Sequence, residues 1–104
     1  MAKFIESWSY EGLEGKSHAE VKARVLEFKE AFLAKGAPEV TVRENLMSDG
    51  DQSFSLDVVF PNAAAWGAFQ DSFDGDTAFD AKIAAWQANP KLMGKISSLA
   101  FEVK

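Results

Sequence analysis

The stretch FPNAAAWGAFQDSF, Phe60 to Phe73, decides how the chain is read. Pro61 ends an alternating apolar run, Asn62 offers a helix cap, and Trp66, Phe69 and Phe73 follow at helical spacing. A strand running straight into an aromatic helix implies a helix that lies on a sheet. As an isolated stripe these rings read as the helix's buried face, with Gly67 and the alanines permitting close approach to the sheet. The alternative is that they form the wall of a ligand pocket.

Upstream, Gln52 to Phe60 alternates as a strand. Val40 and Val42 begin another, running to about Met47, and the Asp-Gly of Ser48-Asp49-Gly50-Asp51 turns between the two. Earlier still, Lys3 to Tyr10 alternates with Phe4, Glu6, Trp8 and Tyr10 on one face and Ile5, Ser7 and Ser9 on the other. After the loop EGLEG, Ser17-His18-Ala19-Glu20 fits a capping box. The helix it opens carries Val21, Val25, Phe28 and Phe32 on one stripe and stops at Gly36 and Pro38. Downstream, Asp76 or Thr77 caps a helix with Phe79, Ile83 and Trp86 on one side, closed by Asn89-Pro90. Lys95 to Lys104 is the last strand, with Leu99, Phe101 and Val103 on one face.

The order β-α-β-β-α-(α)-β is one copy of the ferredoxin-like split βαβ plan. It predicts one α+β domain over residues 1–104, with a four-stranded antiparallel sheet and its helices on one face. The other face of the sheet then needs an account, because Ile5, Met47 and Val59 are apolar and no helix remains to cover them. A homodimer covers it. A monomer with an open, half-polar face is the alternative, since Ser7, Ser9, Thr41, Arg43, Asn45, Ser53, Ser55 and Asp57 are available to it.

Composition narrows the function. The chain has 104 residues, a formal net charge of −5 and no cysteine. The acidic balance argues against a broad nucleic-acid surface, and the lack of cysteine removes thiolate metal sites and a Cys nucleophile. No run nears the roughly 18 apolar residues that a membrane span needs. MAKFIESWSY meets charge too early for a signal peptide, so a cytoplasmic location is expected.

With its element order, FPNAAAWGAF after the third strand and DTAFDAKIAAW in the broken second helical region, nearly the whole chain resembles the dimeric α+β barrel superfamily. That superfamily includes antibiotic-biosynthesis monooxygenase-type domains and NIPSNAP-like relatives. The resemblance implies a homodimer whose two sheets pack together, with a pocket in each subunit between sheet and helices. It also implies a spread of activities: cofactor-free oxygenation of phenolic or polyketide-like substrates, haem degradation, isomerisation or lyase chemistry, and stress-responsive proteins with no assigned reaction. Haem-degrading members place a ligating histidine on the second helical region, one turn after an aromatic like Phe79. Here that turn offers Ile83, so that arrangement is not expected.

Three residues are candidates for proton transfer. His18 opens the first helix in phase with Val21 and Val25, where the helix N-terminus favours a neutral imidazole suited to act as a base. Glu6 and Tyr10 share a strand face with Trp8; if that face looks toward the helices, the three converge on one cavity as acid, base or orienting groups. Trp8, Phe28, Trp66 and Phe69 are the expected pocket wall, and Arg43 and Asn45 could orient an anionic or carbonyl group. Each has a plainer reading: a solvated His18, Glu6 paired with a cation in solvent, and Arg43 in a cross-strand salt bridge to Asp57.

Two apparent motifs are set aside. Gly15-Lys16-Ser17 before a helix lacks the earlier glycine of a phosphate-binding loop, whose place is taken by Tyr10. Asp71, Asp74, Asp76 and Asp80 miss the calcium-loop register. With one histidine no preformed transition-metal site is expected, and no nucleophile context supports a Ser-His-Asp hydrolase. The reading is a cofactor-free homodimeric enzyme acting on a hydrophobic aromatic or polyketide-like small molecule, with a non-catalytic small-molecule-binding or stress-responsive protein as the alternative.

Overall fold

The computed structural model describes residues 3–13, 15–44, 52–88 and 91–104. Its elements are β1 (Phe4–Gly12), α1 (His18–Ala34), β2 (Glu39–Glu44), β3 (Gln52–Phe60), α2 (Ala63–Asp71), α3 (Thr77–Ala88) and β4 (Met93–Glu102). The expected extension of β2 to Met47, the Asp-Gly turn at Ser48 to Asp51, and the Asn89-Pro90 helix stop lie outside the described residues, as does Asn45.

The strands form one antiparallel sheet in the order β2-β3-β1-β4, and the helices lie on one face. Cross-strand register divides the residues as the alternation predicts. Phe4 stands opposite Phe60, Glu6 opposite Val58, Trp8 opposite Leu56 and Tyr10 opposite Phe54, all on the helix side. Phe54, Leu56, Val58 and Phe60 are buried there. Ile5, Ser7 and Ser9 meet Val59, Asp57 and Ser55 on the other side. The register slips just after Tyr10, ending the regular part of β1.

Local chemistry explains the helix ends. The Ser17 hydroxyl accepts from the Glu20 amide at 3.1 Å and the Glu20 carboxylate accepts from the Ser17 amide at 3.2 Å, completing the capping box. Gly36 has φ +106°, a backbone state that side chains disfavour, and turns the chain out of α1. Asn62 Oδ1 accepts from Ala65 at 2.8 Å to start α2, and Asp76 Oδ1 accepts from Phe79 at 3.0 Å to start α3.

The predicted α1 stripe of Val21, Val25, Phe28 and Phe32 is buried, joined by Arg24, which pairs with Glu27 at 3.1 Å. Phe69 is buried on α2; the stripe Phe79, Ile83 and Trp86 on α3 is only half-buried, and α3 holds no fully buried residue. Gly67 does not serve close approach: a Cβ added there meets no atom within 4 Å. It is Ala65 and the rings, rather than Gly67, that set the distance of α2 from the sheet. No helix among the described residues is long and apolar enough to cross a membrane.

Candidate functional site

A cluster of aromatic rings borders a gap between α3 and the sheet. On β1, Trp8 packs against Phe32 of α1 with ring centroids 5.7 Å apart. Phe32 also meets Phe69, Phe73 and Phe79 at 5.9 to 6.2 Å. Phe73 stands edge-on to Phe69 at 4.8 Å and to Phe79 at 4.9 Å, within the range favoured by aromatic pairs. These rings, with Ile83 and Ala84, line a cleft of about 360 Å³. It reaches the surface beside the exposed residues Asp80 and Ala84.

Glu6 supplies the cleft's polar end. Its Oε2 accepts from Trp66 Nε1 at 2.9 Å and from Gln70 Nε2. Trp66 is fixed in turn by stacking on Phe4 at 5.2 Å. Trp66 and Gln70 sit one helical turn apart on α2, so one helix face presents both donors to the strand. Glu6 Oε1 makes no hydrogen bond among the described residues. The side chain therefore has one oxygen held by two donors and one without a hydrogen-bond partner among the described residues. The expected pairing of Glu6 with a cation in solvent is replaced by these two neutral donors.

The structure does not bring the three proton-transfer candidates together. Tyr10 is buried against Phe28, with ring centroids 5.5 Å apart, and roughly 13 Å of strand separates it from Glu6. Burial pushes its phenol well above the usual range, which keeps it protonated near neutrality as a hydrogen-bond donor and makes it a poorer acid than a free phenol. His18 lies farther away, about 21 Å of helix from Phe32. Its side chain is 57% exposed; Nε2 meets Glu44 Oε1 at 2.7 Å and the ring lies 4.8 Å from Phe54. The expectation that Glu6, Tyr10 and His18 share one cavity is thus corrected. The helical phase of His18 holds only in that its ring touches the sheet, at the end of β3 remote from the cleft.

Of the expected wall residues, Trp8 and Phe69 line the cleft. Phe28 is core beneath Trp86, and Trp66 holds Glu6 rather than lining the space. Arg43 is on the opposite sheet face. Its Nε donates to Asp57 Oδ2 at 2.7 Å and the Ser7 hydroxyl donates to Asp57 Oδ1 at 2.6 Å. This is the cross-strand pair weighed for Arg43, and the bond to Asp57 pushes its guanidinium higher still. The same network floors a second hollow of about 350 Å³ on that face, beside Leu99 and Phe101.

Gln70 and Asp80 are cleft residues that the sequence reading did not select. Gln70 had a signal, being one turn beyond Trp66 on a helix already expected to face the sheet. Asp80 had a weaker one, next to Phe79 at the margin of its stripe. Lys35 and Asp76 were also missed as a pair: the ammonium meets the carboxylate and lies 5.2 Å from the Phe73 ring centroid and 5.7 Å from that of Phe79. Among the described residues no group of three or more His, Cys, Asp or Glu is placed to hold a metal ion.

No family model matches the chain, and no curated protein matches it in sequence. Solved structures do match. A DABB family protein with a ferredoxin-like fold from Mesorhizobium loti superposes with a TM-score of 0.64 at 12% identity, over 97% of this chain and 96% of that one. A dimeric ferredoxin-like protein of unknown function from Thermobifida fusca gives 0.63 at 10% identity, over 98% and 92%. SnoaB, a cofactor-independent oxygenase from Streptomyces nogalater, gives 0.59 at 14% identity, over 99% and 92%. At these identities the likeness is one of fold, and the fold is the ferredoxin-like arrangement that the element order predicts.

Proposed function

We propose that the protein is a small homodimeric enzyme acting, without a bound cofactor, on a hydrophobic aromatic or polyketide-like molecule seated in the α3 cleft. The observation that carries this reading is Glu6: a carboxyl group at an apolar, ring-lined space, with Oε2 anchored by Trp66 and Gln70 and Oε1 left for a ligand. A flat apolar ligand displaces water from the rings, which strengthens any polar contact formed at that end. A phenolic hydroxyl or an acidic C–H brought within hydrogen-bond reach of Oε1 can pass its proton to the carboxylate.

Return of that proton to another carbon completes an isomerisation. Loss of a leaving group from the resulting anion completes a lyase reaction. Attack of the anion on dioxygen, which is then the oxidant, begins an oxygenation. The likeness in fold to a cofactor-independent oxygenase is compatible with the last route.

Dimerisation is supported by the open sheet face, where Leu99 is 65% exposed and Phe101 39%, and by a neighbour of the same fold described as dimeric. A non-catalytic binding protein is the second reading, favoured by one fact. His18 and Tyr10 lie away from the cleft, leaving Glu6 and Asp80 as its ionisable lining among the described residues.

Screening phenolic and polyketide-like aromatics by thermal shift tests the cleft, since ligand at a hundred times its Kd adds about 2.7 kcal/mol to stability. Turnover of a ligand so found should fall at least about 100-fold in Glu6→Gln. Full turnover in that variant would remove Glu6 as the proton-transfer group. Binding without turnover in the wild type would leave the non-catalytic reading.

A further inference from the structure

We infer that the preferred occupant of the cleft is an aromatic or apolar molecule bearing a cationic amine, a choice that rests on the cleft being a ligand site. Five aromatic rings, those of Trp8, Phe32, Phe69, Phe73 and Phe79, surround the space. Its ionisable lining is acidic only, with Glu6 at one end and Asp80 at the mouth, and no Lys, Arg or His lines it among the described residues. Neither carboxylate forms an ion pair among those residues. Their charges are available to a cation, while an anionic ligand meets repulsion and no donor of positive charge.

Ring faces add to this, because an organic cation within about 6 Å of an aromatic centroid is attracted to the ring's negative face. The protein already uses two of these rings in that way. Lys35 Nζ sits over Phe73 and Phe79 from outside the cleft, and its charge is balanced by Asp76. A ligand amine would draw on the remaining ring surface and on Glu6 Oε1, which has an open acceptor position. The overall charge of −5 favours approach of a cation but supplies no selectivity within the cleft.

Three matched probes separate charge from shape: 2-naphthylmethylammonium, 2-naphthylmethanol and 2-naphthoate, titrated by calorimetry into the intact protein at physiological salt. The ammonium should bind at least about tenfold more tightly than the alcohol, and the carboxylate most weakly. Glu6→Gln and, separately, Asp80→Asn should shrink the gap between ammonium and alcohol. Asp80 is exposed, so its variant tests the idea even where Glu6→Gln folds poorly. Equal affinities, or tightest binding of the alcohol or carboxylate, overturn the cationic preference and leave the aromatic cleft standing. An ammonium preference unchanged in both variants also overturns it, because the overall charge then accounts for the order. Failure of all three probes, together with the phenolic screen, removes the cleft itself.

Discussion

Trp66 Nε1 donates to Glu6 Oε2 across 2.9 Å, tying α2 to β1 at the end of the aromatic cleft. The indole does two things at once. Its ring stacks on Phe4 as part of the sheet-facing packing, and its N–H fixes the carboxyl group that gives the cleft its polarity.

Trp66→Phe keeps an aromatic ring over Phe4 but removes the donor. Glu6 then retains only Gln70, and the half-buried carboxylate loses part of its support. The variant should be less stable by about 1–3 kcal/mol, the range for a hydrogen bond to a charged group with some loss of packing. Urea denaturation measures this. A change within a few tenths of a kcal/mol would mean that water replaces the indole without cost.

His18→Ala should leave ligand binding in the cleft unchanged within about twofold, because the histidine is remote from it. Its pair with Glu44 is largely exposed, so the stability cost should stay below about 1 kcal/mol, with the contact to Phe54 included. Calorimetric titration of a cleft ligand against both proteins decides the matter. A tenfold loss of affinity would show that His18 reaches the site in solution.

The fold was legible because each of its signals is local. The capping box at Ser17, the stop at Gly36, the Pro61–Asn62 junction and the strand alternation each act within a few residues. The site was only half legible. Glu6, Trp8 and Phe69 were placed by facing direction, which a period-two or 3.6-residue pattern reports. The failed convergence of Tyr10 and His18 with Glu6 concerns distance along the elements, and periodicity carries no such information: residues on one strand face can be close or four positions apart. The Lys35–Asp76 pair joins α1 to the start of α3, a long-range contact between polar residues with no apolar pattern to reveal it. Gly67 misled for a related reason, since a glycine among aromatics signals close approach only when something approaches.

Gly67→Ala follows from that correction. The position is helical, without positive φ, and a methyl group meets open space. Alanine should therefore stabilise the protein by about 0.5–1 kcal/mol through helix propensity and a less flexible unfolded chain. A loss of stability in thermal or urea unfolding would imply a contact at this site that the monomer lacks, such as a second subunit.

Leu99→Glu tests the open sheet face. Leu99 is the most exposed of the large apolar residues there and lies opposite Ser7, beside the Ser7–Asp57–Arg43 network. A carboxylate at that point cannot be buried between two sheets without large desolvation cost. Light scattering at micromolar concentration should find a dimer for the wild type and a monomer for the variant. A monomeric wild type would overturn the proposed assembly.

Asp76→Asn should change the acid limb of the stability curve. Hydrogen bonds from Lys35 and then from the Phe79 amide hold the Asp76 carboxyl below its usual range. The folded protein therefore binds this proton less readily than the unfolded chain does. The stabilisation is complete above the unfolded value of about 4 and is lost as pH falls through the lower folded value. The gap in urea midpoint between wild type and Asp76→Asn should be constant from about pH 7 to pH 5 and should narrow below about pH 4. An unchanged gap at about pH 2–3 would show that the variant's loss of stability does not come from the charge of Asp76, and no gap at any pH would show that asparagine caps the helix as well as the carboxylate does.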